Sequence, residues 1–292
     1  MFAGTHTAIV TPFKNGRIDE AALKQLIDDQ FAGGVTGVVP CGTTGESPTL
    51  DYEEHERVVK LTVEFAAGRG VVMAGTGSNS TREAVQMTEE AEAAGATAIL
   101  QVAPYYNKPT PEGLFQHFKA VAQATKLPIM LYSIPGRSGI EIGVDVVARL
   151  VEACPNICAM KEAGGTPERV NQMRLALPHS FEILSGDDSL TLPFMSVGAV
   201  GVVSVASNII PGPVSEMVQL ALQGRYLEAR AIHERYYPLL AAFLKLSTNP
   251  IPIKTAMGLA GKIDPELRLP MSPMEPAKVE ELRSTLKQVG VI

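Results

Sequence analysis

The sequence predicts a closed (β/α)8 barrel of the TIM type, an α/β fold, with a helical extension at its C-terminus. Three observations predict it. Short apolar, β-branched runs alternate with longer amphipathic segments from end to end. Eight such runs begin about 19 to 34 residues apart, room for a strand, a loop and a helix in each unit. Most of them are apolar throughout, as expected of parallel strands covered by helices outside and filled by a core inside. An open doubly wound sheet is the alternative, but no dinucleotide-type glycine fingerprint follows the first run.

The elements follow in order. The first run, His6–Val10, precedes a helical segment in which Leu23, Leu26, Ile27 and Phe31 share a face and Gly33-Gly34 ends the helix. Gly37–Pro40 and Val71–Ala74 are the next strands. Ser80-Thr81-Arg82-Glu83 reads as a capping box opening the helix after them. Ala98–Val102, Ile129–Tyr132 and Ile157–Lys161 continue the series, and Glu182–Leu184 and Gly201–Val205 complete it. Thr110-Pro111 and Thr166-Pro167 each place a capping hydroxyl before a proline at the first helical position. After about residue 224 the strand signal stops. Helices are expected there over Tyr226–Leu246, Pro252–Gly261 and Pro276–Val289. The expected division is a barrel over 1–224 and a helical domain over 225–292, packed together because no low-complexity linker separates them.

Composition narrows the function classes. The 292 residues carry 25 Lys+Arg against 31 Asp+Glu, a net charge of −6, with no basic block to neutralise a nucleic-acid backbone. Hydrophobic residues make up 46% and charged residues 19%, the balance of a globular chain with a sizeable core. Met1–Phe13 shows no secretory pattern, and the longest apolar stretch, Val197–Ala206, is too short to span a bilayer. Cys41, Cys154 and Cys158 cannot all pair within one chain and lack zinc-site spacing, so reduced thiols and a cytoplasmic location are expected. His6, His55, His117, His179 and His233 show no ligand pairing such as HExxH, and no metal site is expected.

A barrel of this kind places its chemistry at the C-terminal ends of the strands. Lys161 is the most informative residue there. A lysine inside an apolar strand is costly to bury charged, and desolvation favours the neutral amine that attacks a ketone to form a Schiff base. Its plainer alternatives are a side chain leaving toward solvent or paired with Glu162. Thr43-Thr44 lies between two glycines after the second strand, where backbone and hydroxyl donors can converge on an anion, or where a polar turn simply reverses the chain. Tyr132 points the same way as Lys161 if both face the barrel axis, and then it either moves protons or is a satisfied core tyrosine. Arg137, in a glycine-bounded loop, suits a carboxylate clamp or a surface salt bridge.

The set Gly42-Thr43-Thr44-Gly45-Glu46, Tyr105-Tyr106-Asn107, Tyr132 with Arg137, and Lys161-Glu162-Ala163 resembles the dihydrodipicolinate synthase family. These are pyruvate-dependent class I aldolases, related to N-acetylneuraminate lyase. The likeness runs essentially the whole chain, through Leu184-Ser185-Gly186-Asp187-Asp188, Asn249-Pro250-Ile251-Pro252 and Leu267-Arg268-Leu269-Pro270-Met271. The resemblance implies condensation of pyruvate with L-aspartate 4-semialdehyde and cyclisation, on the diaminopimelate route to lysine, with no metal or organic cofactor. It implies Lys161 as Schiff-base former and Thr43, Tyr132 and Tyr106 as a proton relay, with Tyr106 supplied by a neighbouring subunit. Thr43 and Thr44 hold the pyruvate carboxylate, Arg137 binds the semialdehyde carboxylate, and Val203 contacts pyruvate. A homodimer or homotetramer built as a dimer of dimers is implied. So is an L-lysine effector site at the dimer interface, away from the catalytic site, built from Ser47, Pro48, Tyr52, His55, Asn79, Glu83 and Tyr105. Pro48 and Tyr52 depart from the common lysine-sensitive pattern of alanine and histidine, and Glu83 has the alternative role of a capping residue. No membrane or nucleic-acid partner is expected.

Three other readings compete. A sugar-acid aldolase of the same family keeps Lys161 and Tyr132, but is not expected to combine Thr43-Thr44, Tyr106 and Arg137. A phosphosugar isomerase wants a glycine-rich phosphate site after the last two strands, which Ser204-Val205-Ala206-Ser207 does not offer. A non-catalytic relative has no need of the nucleophile, relay and clamp together.

Overall fold

The computed structural model describes residues 1–292. Its eight parallel strands are β1 (Gly4–Ala8), β2 (Gly37–Val39), β3 (Val71–Gly75), β4 (Ala98–Val102), β5 (Ile129–Ser133), β6 (Ile157–Glu162), β7 (Glu182–Ser185) and β8 (Gly201–Ser204). Sequential strands are neighbours in space and β8 pairs back onto β1, closing the barrel. This is the fold the sequence predicts.

Only β1 departs from its expected bounds by more than one residue. The apolar run Ala8-Ile9-Val10 suggests a later start, yet the ladder begins where Gly4 meets Gly201. No side chain fits there: a Cβ on Gly4 would lie 2.1 Å from the Thr36 hydroxyl oxygen, and φ is +121°. Two of the buried polar residues of this strand are partnered, Thr7 by Gln30 at 2.7 Å and His6 by the Phe2 carbonyl at 2.9 Å, while the Thr5 hydroxyl is buried without a partner. The amide of Val10 has already left the ladder for the Asn208 side chain, 3.1 Å away.

The outer helices are α1 (Glu20–Ala32), α2 (Tyr52–Ala66), α3 (Thr81–Ala93), α4 (Pro111–Gln123), α5 (Val144–Ala153), α6 (Pro167–Ala176), α7 (Thr191–Ser196) and α8 (Pro211–Leu222). The expected face of α1 is the buried one, with Leu23, Leu26 and Ile27 covered. Thr110 and Thr166 cap α4 and α6 through their hydroxyls. The capping box expected at α3 is corrected: the Ser80 side chain makes no cap bond. Glu83 instead accepts from the Ser78 hydroxyl at 2.9 Å, and that hydroxyl oxygen takes the Ser80 amide at 3.1 Å, so Ser78 stands between the carboxylate and the N-cap amide. The reciprocal box lies one helix earlier, between Asp51 and Glu54 at the start of α2.

A hairpin over Phe13–Lys14 and Arg17–Ile18 follows β1. Asn15 and Gly16 take φ of 54° and 77° at its tip, the two-residue turn for which Asn-Gly is the usual sequence. The C-terminal helices are α9 (Tyr226–Lys245), α10 (Ile251–Leu259) and α11 (Pro276–Val289). Val39, Met73, Leu100, Met130, Ala159, Leu184 and Val203 fill the barrel. A second core lies between strands and helices and runs without a break into Leu239, Phe243, Ile253, Met257 and Leu282 of the extension. No helix is long and apolar enough to cross a membrane.

Candidate active site

β5 and β6 pair with Tyr132 beside Lys161. Side chains alternate along a strand, so Ala159 and Lys161 face the barrel interior while Met160 and Glu162 face the helices. Glu162 is fully buried near Arg169 of α6, with Oε2 3.5 Å from the guanidinium Nε, and it accepts from the Gly164 amide at 2.6 Å. Lys161 therefore neither leaves toward solvent nor pairs with Glu162. It is 5% exposed, and its Nζ sits 4.1 Å from the centre of the Tyr132 ring.

Burial pushes the Lys161 amine down to about 7, with the Asp188 carboxylate opposing the shift and Arg137 adding to it. Near neutral pH a large fraction is the free amine, the form that attacks carbonyl carbon. Burial pushes the Tyr132 phenol up to about 12, against the pull of Arg137 and of a hydrogen bond with Thr43. Tyr132 is thus a protonated donor and acceptor close to Thr43. Space for the lysine depends on Gly186, where a Cβ would lie 3.1 Å from Lys161 Cε and 2.7 Å from Ala163 Cβ.

The segment after β2 turns sharply. Cys41 and Glu46 both adopt φ of 56°, and the Gly45 and Glu46 amides bond back to Gly42 and Thr43. The amides of Thr43 and Thr44 bond to no other backbone group. With the two hydroxyls they make a cluster of donors suited to a carboxylate. The C-terminal extension clamps this turn. Glu46 and Lys254, both fully buried, form an ion pair at 2.5 Å. Lys254 also donates to the Glu266 carbonyl, and the Arg268 amide donates to Glu46 at 3.0 Å. The Phe13 ring from the hairpin lies 4.2 Å from both cations.

Arg137 occupies a short helical turn, Pro135–Ser138, rather than the expected loop, and is exposed at the cavity mouth. Its guanidinium donates to the Asn249 carbonyl at 2.8 Å, and Asn249 Nδ2 donates to the Thr44 hydroxyl oxygen at 3.0 Å. Val203 is fully buried in the interior layer that also holds Tyr132. Thr43, Tyr132 and Arg137 open onto a cavity of about 570 Å³. The same cavity is lined by Ser47, Pro48, Tyr52, His55, Glu83 and Tyr105, so within one chain the effector residues, expected away from the catalytic ones, instead adjoin them. Asn79 lies beside that wall, with its side chain donating to the Tyr105 carbonyl at 3.1 Å. His55 is buried against the Gly75 carbonyl at 2.8 Å, and burial keeps its ring below the usual histidine range.

Tyr106 stands apart from the other expected site residues by its exposure. It is 89% exposed with φ of 73° and lies outside the cavity lining. Two functional features escape the sequence reading. One is the grip of the extension on the Thr43-Thr44 turn, carried by lone polar residues, Lys254 in a helix and Asn249 and Arg268 in the loops around it. The other is Asp188, whose carboxylate takes the Ser204 hydroxyl at 2.5 Å and the Val205 and Ala206 amides at 2.9 Å. Those donors would serve a phosphate in a sugar-phosphate barrel; here an internal carboxylate fills them. The paired aspartates directly after an apolar strand were the available signal.

The profile of the dihydrodipicolinate synthetase family matches residues 1–289. The chain belongs to this family. A 4-hydroxy-tetrahydrodipicolinate synthase of Persephonella marina is 50% identical over all of both chains. The structure of the 4-hydroxy-tetrahydrodipicolinate synthase of Methylacidiphilum fumariolicum is 54% identical, with a TM-score of 0.98 over 99% of this chain and 96% of that one. The enzyme of Cyanidioschyzon merolae, solved with lysine bound, is 40% identical, with a TM-score of 0.96 over 100% of this chain and 99% of that one. Membership of the dihydrodipicolinate synthetase family makes this chain a lyase of class I aldolase type. It has the 4-hydroxy-tetrahydrodipicolinate synthase activity for which these relatives are named, in lysine biosynthesis through diaminopimelate.

Proposed function

We propose that Lys161 is the Schiff-base former for pyruvate and that the other site residues serve this covalent centre. The observation that carries the reading is the buried, partly neutral amine at the C-terminal end of β6, 4.1 Å from the ring of a protonated Tyr132 that lies close to Thr43. The amine attacks the pyruvate ketone and water leaves, giving a protonated imine that serves as the electron sink. Loss of a methyl proton gives the enamine, whose carbon attacks the aldehyde of L-aspartate 4-semialdehyde. The amine of the semialdehyde then displaces Lys161 as the ring closes. Tyr132 and Thr43 carry protons between these steps, and the amides and hydroxyls of Thr43 and Thr44 hold the pyruvate carboxylate. Val203 packs against bound pyruvate, and Arg137 takes the semialdehyde carboxylate at the mouth. This chemistry needs no metal or organic cofactor, because the lysine itself supplies the sink.

The third relay member, Tyr106, comes from a second copy of the chain. Its 89% exposure, unusual for a large aromatic side chain, supports a homodimer, alone or paired into a tetramer. L-lysine binds where Ser47, Pro48, Tyr52, His55, Asn79, Glu83 and Tyr105 meet, with Glu83 facing the ammonium group. The lysine-bound relative supports this, and the departures at Pro48 and Tyr52 weaken the inhibition. Residues 1–224 carry catalysis, residues 225–292 form the helical domain, and the enzyme works in the cytoplasm. Turnover with pyruvate and aspartate semialdehyde, beside 2-keto-3-deoxy sugar acids and sialic acid, tests the substrate assignment. Turnover confined to the semialdehyde supports it; preference for a sugar acid overturns it.

A further inference from the structure

The loop between α9 and α10 enters the site from the C-terminal extension and brings one side chain, Asn249, with it. That residue is only 8% exposed. Its Nδ2 donates to the hydroxyl oxygen of Thr44, 205 positions earlier in the chain, and its carbonyl oxygen accepts from Arg137. Asn249 thus touches both groups assigned to carboxylate binding. A threonine hydroxyl has one proton and two lone pairs. Asn249 occupies one lone pair, which leaves the Thr44 proton free to point away from it. The amide Oδ1 is buried without a partner. With the amide turned over, Oδ1 would take the Thr44 proton and the hydroxyl would be consumed inside the protein. The observed orientation leaves a buried acceptor empty and keeps Thr44 a donor.

We propose that Asn249 is a positioning residue whose side chain directs the Thr44 hydroxyl proton toward the pyruvate carboxylate, while its backbone carbonyl holds Arg137 at the mouth. The side chain serves the first substrate and the backbone the second. This rests on the reading of Thr44 as a pyruvate-binding residue.

The test compares steady-state kinetics and pyruvate saturation of borohydride trapping in Asn249→Ala, Asn249→Asp, Thr44→Val and the double variant Thr44→Val/Asn249→Ala. Asn249→Ala raises the KM for pyruvate about 3- to 10-fold, the equivalent of one lost hydrogen bond. The KM for the semialdehyde changes less than about 2-fold, because the carbonyl that holds Arg137 remains. Asn249→Asp keeps the shape but replaces the donor with an acceptor, so the Thr44 proton turns toward it. The pyruvate KM then rises further than in Asn249→Ala. A residue that only fills space gives the reverse order. In the Thr44→Val background, Asn249→Ala adds nothing to the pyruvate KM.

If Thr44→Val itself saturates with pyruvate like the wild type, the reading of Thr44 fails. If Thr44→Val is impaired but Asn249→Asp is as good as the wild type or better than Asn249→Ala, the role given to Asn249 is overturned and that of Thr44 stands. Additive effects in the double variant overturn it equally. Should Asn249→Ala not fold, the comparison of the isosteric Asn249→Asp with the wild type decides alone.

Discussion

Replacing Lys161 by methionine, similar in length and apolar, should make the protein more stable while abolishing its activity. The buried amine has a folded-state pKa of about 7 against an ordinary 10.5, so the folded state disfavours its charge. That difference corresponds to roughly 4 to 5 kcal/mol at and below neutral pH, an upper bound on what the native fold gives up to keep the lysine. Between these two values the unfolded chain binds more protons than the native one. The wild type therefore gains stability as pH rises through this window, and Lys161→Met does not. The stability gap should close by roughly 2 kcal/mol between about pH 7 and pH 9. Urea unfolding of both proteins across that range measures it. A wild type as stable as Lys161→Met near neutral pH, or a gap that does not move with pH, would refute the claim that the lysine is held against its charge.

Other outcomes follow from the same site. For pyruvate, kcat/KM should rise with pH through about 7 as the Lys161 amine loses its proton, a limb visible in a pH–rate profile. Arg137→Ala should leave pyruvate trapping intact but lower kcat/KM for the semialdehyde about 10- to 100-fold, the loss of one charge-assisted hydrogen bond; an unchanged semialdehyde response makes the arginine a bystander. Mixing inactive Lys161→Ala and Tyr106→Phe subunits should restore activity in hybrids, and none despite subunit exchange counts against a shared site. Rising L-lysine should inhibit wild-type turnover and inhibit Glu83→Ala less. Inhibition that Glu83→Ala leaves unaltered places the effector elsewhere.

Much of this architecture was legible in the chain because burial and chemistry left the same marks. Strands covered on both faces are continuously apolar, so β2 to β8 could be read to within a residue, and a lysine closing one such run stood out. The start of β1 was hidden because its buried positions are Thr5, His6 and Thr7, and the partners of His6 and Thr7 are supplied only by folding. Glu83 looked like a cap because spacing records neighbours along the helix, whereas Ser78 reaches it from the preceding loop. The extension was visible as helices, but its grip on the Thr43-Thr44 turn was not. Asn249, Lys254 and Arg268 are single polar residues whose partners lie some two hundred positions away, and no periodicity encodes such a contact.

The central claim, a covalent centre at Lys161, is tested most directly by borohydride reduction in the presence of pyruvate, with the adduct located by peptide mass spectrometry. The account predicts one pyruvate-dependent adduct, on the peptide carrying Lys161, and none in Lys161→Ala. Trapping at wild-type level in Lys161→Ala, or an adduct on another lysine, would contradict it.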